Sequence, residues 1–558
     1  MNIFKKISLS IVCSFFFFSA FAQPDLPSEE VQVIQDFEAR LADSEKLGLQ
    51  PLLPPADDAS KDLIYKIPVK SLQLEYQPPK LRPLAMAAKK EEKGYKGYLK
   101  AGYGIPRASL GDFSYHFIDS EQYIFGINLK HQAANYKKLE HQRFMNNSGE
   151  INGTYYLDNG LAVGGNFGVD NRQLHFYGYD HTEPGQIRDR SDIRQHFNKI
   201  HGKAYVFNGE RNYGDINYNG NIDIYHLTDK YTAKETGVKV NLSGTKWFDE
   251  KHPFKLDLIG DFTNPNNLLT ASDVNIFYVK PSFTWHGDKF RFKAGANLAF
   301  FDSKVPEANG SQRKIANIFP DAELAVNILG TKLAAYVGVT GDLQKNTMLT
   351  LSEYNPWIAT QNALALKPSR YLHYYGGVKG NLTLLDYQIE GGFKPTDDLA
   401  LFLNNSLPLD TTRFQVLYDT VDIYNLTASL TATPIKDLEI TMTLGQNYYR
   451  PKNEEKAWHL PSFNTNISAR YTTLANKLVL KAEFYFENGV PYKDNAADTR
   501  EARHLNGLVD LNLGAEYRIV KNIGVFIDFN NLASNNRERW NRYPTYGTNL
   551  VGGITARF

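Results

Sequence analysis

Thirteen histidines and 61 acidic residues could supply metal or acid–base chemistry, but their spacing builds neither. His175, His181, His196 and His201 come nearest to a cluster, flanking one strand–loop–strand segment. No companion carboxylate stands at the fixed spacing a zinc site requires. Asp180, Asp189 and Asp192 offer oxygen ligands, but without the regular order of a calcium loop. They alternate with Arg188, Arg190 and Arg194, which makes a solvated mixed-charge loop the better reading. The chain contains no H-E-x-x-H, no G-x-S-x-G, no G-x-x-x-x-G-K-[ST] and no dinucleotide fingerprint. No catalytic, cofactor-binding or metal-ligating residue is therefore assigned, no cofactor is expected, and the chain does not read as an enzyme.

The elements that would carry any site have a strong pattern of their own. The chain ends on Asn549–Phe558, where Leu550, Gly552, Ile554, Ala556 and Phe558 share one face and Asn549, Gly553, Thr555 and Arg557 the other. Upstream, Leu438, Ile440, Met442 and Leu444 oppose Glu439, Thr441 and Thr443. Phe290, Phe292, Ala294, Ala296 and Leu298 likewise oppose Arg291, Lys293 and Asn297. Strands with charges on one face and apolar side chains on the other suit lipid outside and water inside. Short connections rich in Gly, Asn and Asp recur at Asp158-Asn159-Gly160, Asn208-Gly209-Glu210, His286-Gly287-Asp288, Gly330-Thr331, Pro434–Asp437 and Ala475–Lys477, as hairpins require. Between them lie longer polar stretches at Ala133–Asn147, Tyr179–Ile193, Asn346–Ser369, Pro395–Asp422 and Asn488–His504. The Pro395–Asp422 stretch holds two strand-like pieces, Leu399–Leu403 and Arg413–Tyr418. Counted as loop they leave about 22 wall strands, counted as wall about 24, and 22 is the count adopted. The fold class expected is all-β: a closed antiparallel transmembrane barrel of about 22 strands in the cell outer membrane.

The N-terminus is consistent with export. Lys5 and Lys6 precede an apolar run, Ile7–Phe18, and Ala20-Phe21-Ala22 is a small-residue cleavage site that leaves Gln23 first. The run is too short to span a bilayer. Residues 1–22 are thus a signal peptide, and the single cysteine, Cys13, leaves with it. Without Lys5 and Lys6 the 62 basic residues fall to 60 against 61 acids, a balance with no footprint for nucleic acid. The 34 Tyr and 34 Phe fit the aromatic girdles of a membrane barrel.

Residues 94–558 form the barrel block, and residues 23–93 are different. Ser28 can cap a helix with Glu29 and Glu30 in its first turn. Val31, Ile34, Phe37 and Leu41 recur at helical spacing up to Gly48. Beyond Pro51, Pro54 and Pro55 the chain reads as extended, including Leu72–Tyr76. One short amphipathic helix cannot bury its stripe alone, so these four residues are candidate contacts for a periplasmic or lipoprotein partner, or for the lumen.

The tail resembles the barrel of TonB-dependent outer-membrane receptors. The resemblance rests on Leu511–Tyr517, on Phe526-Ile527-Asp528-Phe529-Asn530-Asn531-Leu532, on Trp540-Asn541-Arg542-Tyr543-Pro544 and on the strand closing at Phe558. It extends over roughly the last 130 residues, and upstream only strand rhythm and length continue it. It implies a 22-stranded barrel and, in family members, an N-terminal plug of well over a hundred residues. Gln23–Lys93 offers 71 without a plug-like strand pattern, so a plug is not expected. Glu30-Val31-Gln32-Val33 is a faint match to the family's energy-coupling box, which the helical stripe explains equally well.

A barrel of this size encloses a wide aqueous lumen unless something closes it: the N-terminal segment, the Asn346–Ser369 or Pro395–Asp422 loop folded inward, or another protein. The foremost functional expectation is passive or gated passage of solutes across the outer membrane. The alternative is a scaffold subunit that docks an envelope partner through residues 23–93, and energised uptake stands third. Ile554, Ala556 and Phe558 are expected to be the assembly signal read by the barrel-insertion machinery, with the last strand closing against Tyr95–Tyr103.

Overall fold

The computed structural model describes residues 94–558 apart from 120–121, 137–138, 183–187, 267–272, 304–312, 361–365, 405–411, 494–500 and 534–536. The cleavage residues Ala22 and Gln23 and the stripe Val31, Ile34, Phe37 and Leu41 lie outside the described residues.

Twenty-two strands, numbered here β1 to β22 in chain order, form one antiparallel sheet that closes on itself. β1 (Gly97–Ile105) pairs with β2 (Ala108–Asp119) on one side and with β22 (Asn549–Arg557) on the other. In the seam Leu99 lies opposite Ala556, and Gly97 and Phe558 exchange both backbone hydrogen bonds, at 2.7 and 3.1 Å. The first strand starts two residues later than the sequence pattern suggests, but it is the closing neighbour of the last. Closure leaves no row of unpaired backbone groups facing lipid.

Alternation decides the faces. Ile554 (51% exposed), Leu426 and Tyr448 look outward, whereas Lys100, Glu516 and Thr555 are buried on the inner side. The turns on the side of Gly97 and Phe558 are short, and several run through left-handed backbone, as at Gly160 (φ 79°), Gly330 (φ 54°) and Asp437 (φ 63°). The opposite end carries the long loops, so the short-turn end is periplasmic and the long-loop end extracellular.

Two loop expectations change. The loop expected over Ala133–Asn147 shrinks to residues 136–142, between strands that run further than the pattern suggested. Pro395–Asp422 is mostly not loop: β15 (Leu385–Asn404) and β16 (Phe414–Ile435) carry it upward as a paired extension past a bulge between Thr396 and Leu399. These pieces prolong existing strands, so the wall count stays at 22.

Inward charges are matched locally. Lys100 reaches Asp528 at 2.7 Å, Lys203 reaches Asp223 at 3.1 Å, Arg291 reaches Glu323 at 2.6 Å and Arg557 reaches Glu516 at 3.1 Å. Partly buried charges keep their ionised form cheaply only when paired.

Candidate functional site: the extracellular cap of the lumen

The connection between β13 (Ala334–Gln344) and β14 (Ser369–Leu382) turns into the barrel. This strap, described over residues 345–360 and 366–368, carries the one α-helix among the described residues, α1 (Met348–Tyr354). Thr347 caps it in a reciprocal capping box with Thr350, satisfying first-turn N–H groups that have no helical partner. The wall meets two more: Glu235, which opens β8 (Lys234–Phe248), accepts from the N–H groups of Met348 (2.6 Å) and Leu349 (3.0 Å). The Tyr225 hydroxyl donates to the same carboxylate at 2.9 Å.

Polar contacts fasten the strap to one arc of wall. From β5 (Leu161–His175), Arg172 donates to the carbonyl of Ser352 at 2.7 Å, and the His175 carbonyl accepts from Trp357 Nε1 at 3.2 Å. Asp229, ending β7 (Asn217–Asp229), accepts from the Thr360 hydroxyl at 2.5 Å. Lys345 pairs with Asp261 of β9 (His252–Asn266).

A different arc meets its other side. Ile358 bridges Phe414 of β16, and the Tyr354 ring stacks on Phe402 of β15 at 5.2 Å. Residues 537–548 of the last long loop meet it too: Trp357 stacks on Tyr543 at 4.2 Å, and Arg539 donates to the Tyr354 hydroxyl at 3.2 Å while pairing with Glu487 at 2.8 Å.

Apolar side chains from all three sources merge into one core. Leu174, Phe197, Leu227, Ile276, Tyr278 and Phe319 come from the inner face, Met348, Leu351, Ile358 and Leu366 from the strap, and Trp540 and Tyr543 from the last loop. At this level the inner wall presents apolar side chains between its polar anchors, while below it Lys239, Glu439, Ser429 and Thr443 remain exposed. Among the described residues, this core lies toward the extracellular end, and the inward side chains nearer the periplasmic end are polar.

The third loop over the cap, residues 452–462, is pinned by His459. Its Nδ1 donates to the Phe402 carbonyl at 2.7 Å, and its Nε2 faces the Asn541 N–H at 3.4 Å. The ring lies near parallel to Trp540 at 5.4 Å. Burial first, with Arg539 adding to it against the Phe402 hydrogen bond, pushes its pKa down to about 3.

The histidines singled out by sequence do not converge. His196 lies opposite Gln173, while His201 stands 3.4 Å from Asp170 and His181 contacts the Tyr177 carbonyl. Asp180 is occupied by Thr182, whose N–H and hydroxyl it accepts. Ile554 and Ala556 sit in the closing seam, with Ala556 opposite Leu99, and the Phe558 ring packs near Phe113 and Tyr115 at 6.4 and 5.8 Å. Glu235 meets Met348 113 residues away, Arg539 meets Tyr354 185 away, and His459 meets Phe402 57 and Asn541 82 away, so none of the three carried a sequence signal for its place in the cap. Trp540 and Tyr543 belong to the aromatic-Pro element on which the family resemblance rests.

Closed strands, a lipid-facing band and an inward polar face make this an outer-membrane β-barrel protein. Its wall has the fold of the TonB-dependent receptor barrel. No family model matches the sequence, and no curated protein matches it. Solved structures match the fold. The FrpB iron transporter from Neisseria meningitidis is similar with a TM-score of 0.65 at 10% identity, over 84% of this chain and 83% of that one. The ferric-catecholate import receptor Fiu from E. coli K12 gives 0.61 at 9%, over 84% and 82%. The siderophore receptor PiuA from Acinetobacter baumannii gives 0.61 at 10%, again over 84% and 82%.

Proposed function

We propose that the protein is a gated outer-membrane transporter, and not an enzyme, whose gate is the part of the strap that holds α1 and residues 355–360. The observation that carries this reading is the strap's burial: Met348, Leu351, Ile358 and Leu366 are all 3% exposed or less. Burying such side chains contributes about 1.5–3 kcal/mol each. A cap held by about 5.5 kcal/mol would stand open in roughly one molecule in 10⁴. On this reading passage needs a ligand or partner that binds the open state better than the closed one. The water-lined space below suits onward movement of a polar solute.

Purified full-length protein in planar bilayers should be nearly silent. Leu351→Asp with Ile358→Asp, which places charges in the cap core, should give frequent large openings. A double variant that keeps the heat-modifiable mobility of a folded barrel and stays silent would overturn the gate.

A second reading is favoured by how closely the cap resembles a protein core: a barrel that serves as scaffold, with residues 23–93 holding a periplasmic or lipoprotein partner. Deleting Gln23–Lys93 should then leave the barrel folded and abolish co-purification of that partner. Insertion itself would rely on the barrel-assembly machinery acting on the Ile554–Phe558 edge.

A further inference from the structure

Below the cap the inner wall is not uniform. Over much of it acids and bases pair across strands, as Lys100 does with Asp528, Lys199 with Asp170, Lys203 with Asp223 and Arg291 with Glu323. The arc formed by β16, β17 (Leu438–Pro451) and β18 (Phe463–Thr473) is different. Its inward positions are Ser429 and Thr431, then Thr443 and Thr441, then Asn466 and Ser468. The register joins them laterally, with Ser429 opposite Thr443, Thr431 opposite Thr441, Thr443 opposite Asn466 and Thr441 opposite Ser468. The apolar partners in the alternation, Leu430, Met442 and Ile467, take the lipid side. Ser429, Thr443 and Ser468 are exposed, as side chains facing an aqueous space would be. Glu439 and Arg470, opposite one another, lie at the periplasmic end of this arc.

We infer that the solute is uncharged and hydroxyl-rich, saccharide-like in its chemistry, and that it moves along this hydroxyl-and-amide track. The inference rests on the transport reading above and names its substrate class. Hydroxyls and amides both donate and accept, so a solute with many hydroxyls can exchange its water for wall contacts step by step, without a deep binding well. The paired charges on the facing arc neutralise each other locally, so no ring of one sign favours a cation or an anion. The acids beside the track are already engaged, Glu390 by the Tyr336 hydroxyl at 2.9 Å and Glu483 by the Asn466 amide at 3.2 Å, so a charged solute would give up hydration for groups that have partners of their own.

Two measurements on the full-length protein test this. The mature chain is expected to contain no cysteine, so Ser429→Cys and Thr443→Cys each provide a single labelling site. Thiosulfonate reagents of like size, one cationic and one anionic, should label each site from the periplasmic side at rates within about twofold, after correction for intrinsic reactivity. A preference of tenfold or more for either sign at both sites would overturn the neutral track. This measurement needs no gate opening, so it stands or falls separately from the gating reading. In proteoliposomes bearing Leu351→Asp with Ile358→Asp, a neutral hexose should enter several-fold faster than its carboxylate or amine analogue. Entry of either charged analogue ahead of the hexose would overturn the substrate class. Even-handed labelling with no entry of any solute would fault the gate and leave the track intact.

Discussion

His459 shows how one side chain ties three loops together. Its Nδ1 proton goes to Phe402 and its Nε2 lone pair faces the Asn541 N–H, so only the neutral ring fits. Protonation would set a second N–H against that donor, beside the Arg539 guanidinium, which is itself balanced by Glu487. The groups facing the ring from the other packed elements are Trp540 and Phe414. With the folded pKa lowered to about 3, below the usual 6.5, the unfolded or opened form binds the proton more readily. Stability is then fully present above about 6.5 and is lost as pH falls toward 3. At pH 4.5 the loss is on the order of 2–3 kcal/mol. Limited proteolysis of the 452–462 and 531–548 loops should therefore accelerate between pH 7 and 4.5, and His459→Gln should flatten that dependence. Identical acid profiles for the two proteins would assign the titration elsewhere.

The strap is an element that cannot hold its shape alone. A seven-residue helix is far below the length at which helices persist in water, so α1 depends on its cap and on the wall. Glu235 is the strongest single anchor, receiving two backbone N–H groups and a tyrosine hydroxyl. Glu235→Gln keeps the shape but turns one acceptor into a donor facing donors, which costs about 1–3 kcal/mol for each unsatisfied buried group. The variant should show faster protease cleavage within 345–368 and more frequent openings in bilayers, with unchanged heat-modifiability of the barrel. Unchanged cleavage would mean that the apolar contacts alone fix the strap. Leu351→Ala tests that half: a large-to-small change in a packed core costs about 2–5 kcal/mol, and it should raise the opening frequency in the same assay.

For the whole molecule the decisive contact is the seam. A Cβ at Gly97 would lie 2.3 Å from the Phe558 ring, so Gly97 admits the terminal side chain where any larger residue would displace it. Deleting Phe558 removes the ring and the paired backbone bonds with Gly97, and the fraction of heat-modifiable protein in membranes should fall. Gly97→Val should lower it in the same direction. Cysteines at Leu99 and Ala556, directly opposite in the seam, should crosslink in the inserted protein and leave a circularised barrel of altered mobility. Absence of that crosslink alongside normal insertion would contradict the register of closure.

The sequence alone determined the wall, because in a barrel every strand must present lipid on one face and water on the other, and that two-residue alternation is local. Leu438–Leu444 and Leu550–Phe558 state it without any distant partner. The hairpin turns were legible for the same reason, since Gly160 and Gly330 are needed where the backbone turns left-handed. Which loop enters the lumen was not legible. Asn346–Ser369 and Pro395–Asp422 are both long polar stretches with scattered apolar residues, yet one folds inward and the other rises as a continued strand pair. That choice lies in contacts such as Glu235 with Met348 and His175 with Trp357, separated by 113 and 182 residues. A helix of two turns leaves too short a period to read, and a cap built from three loops leaves none. Tertiary structure alone could decide it, because the surface that completes the strap is the far wall of the barrel.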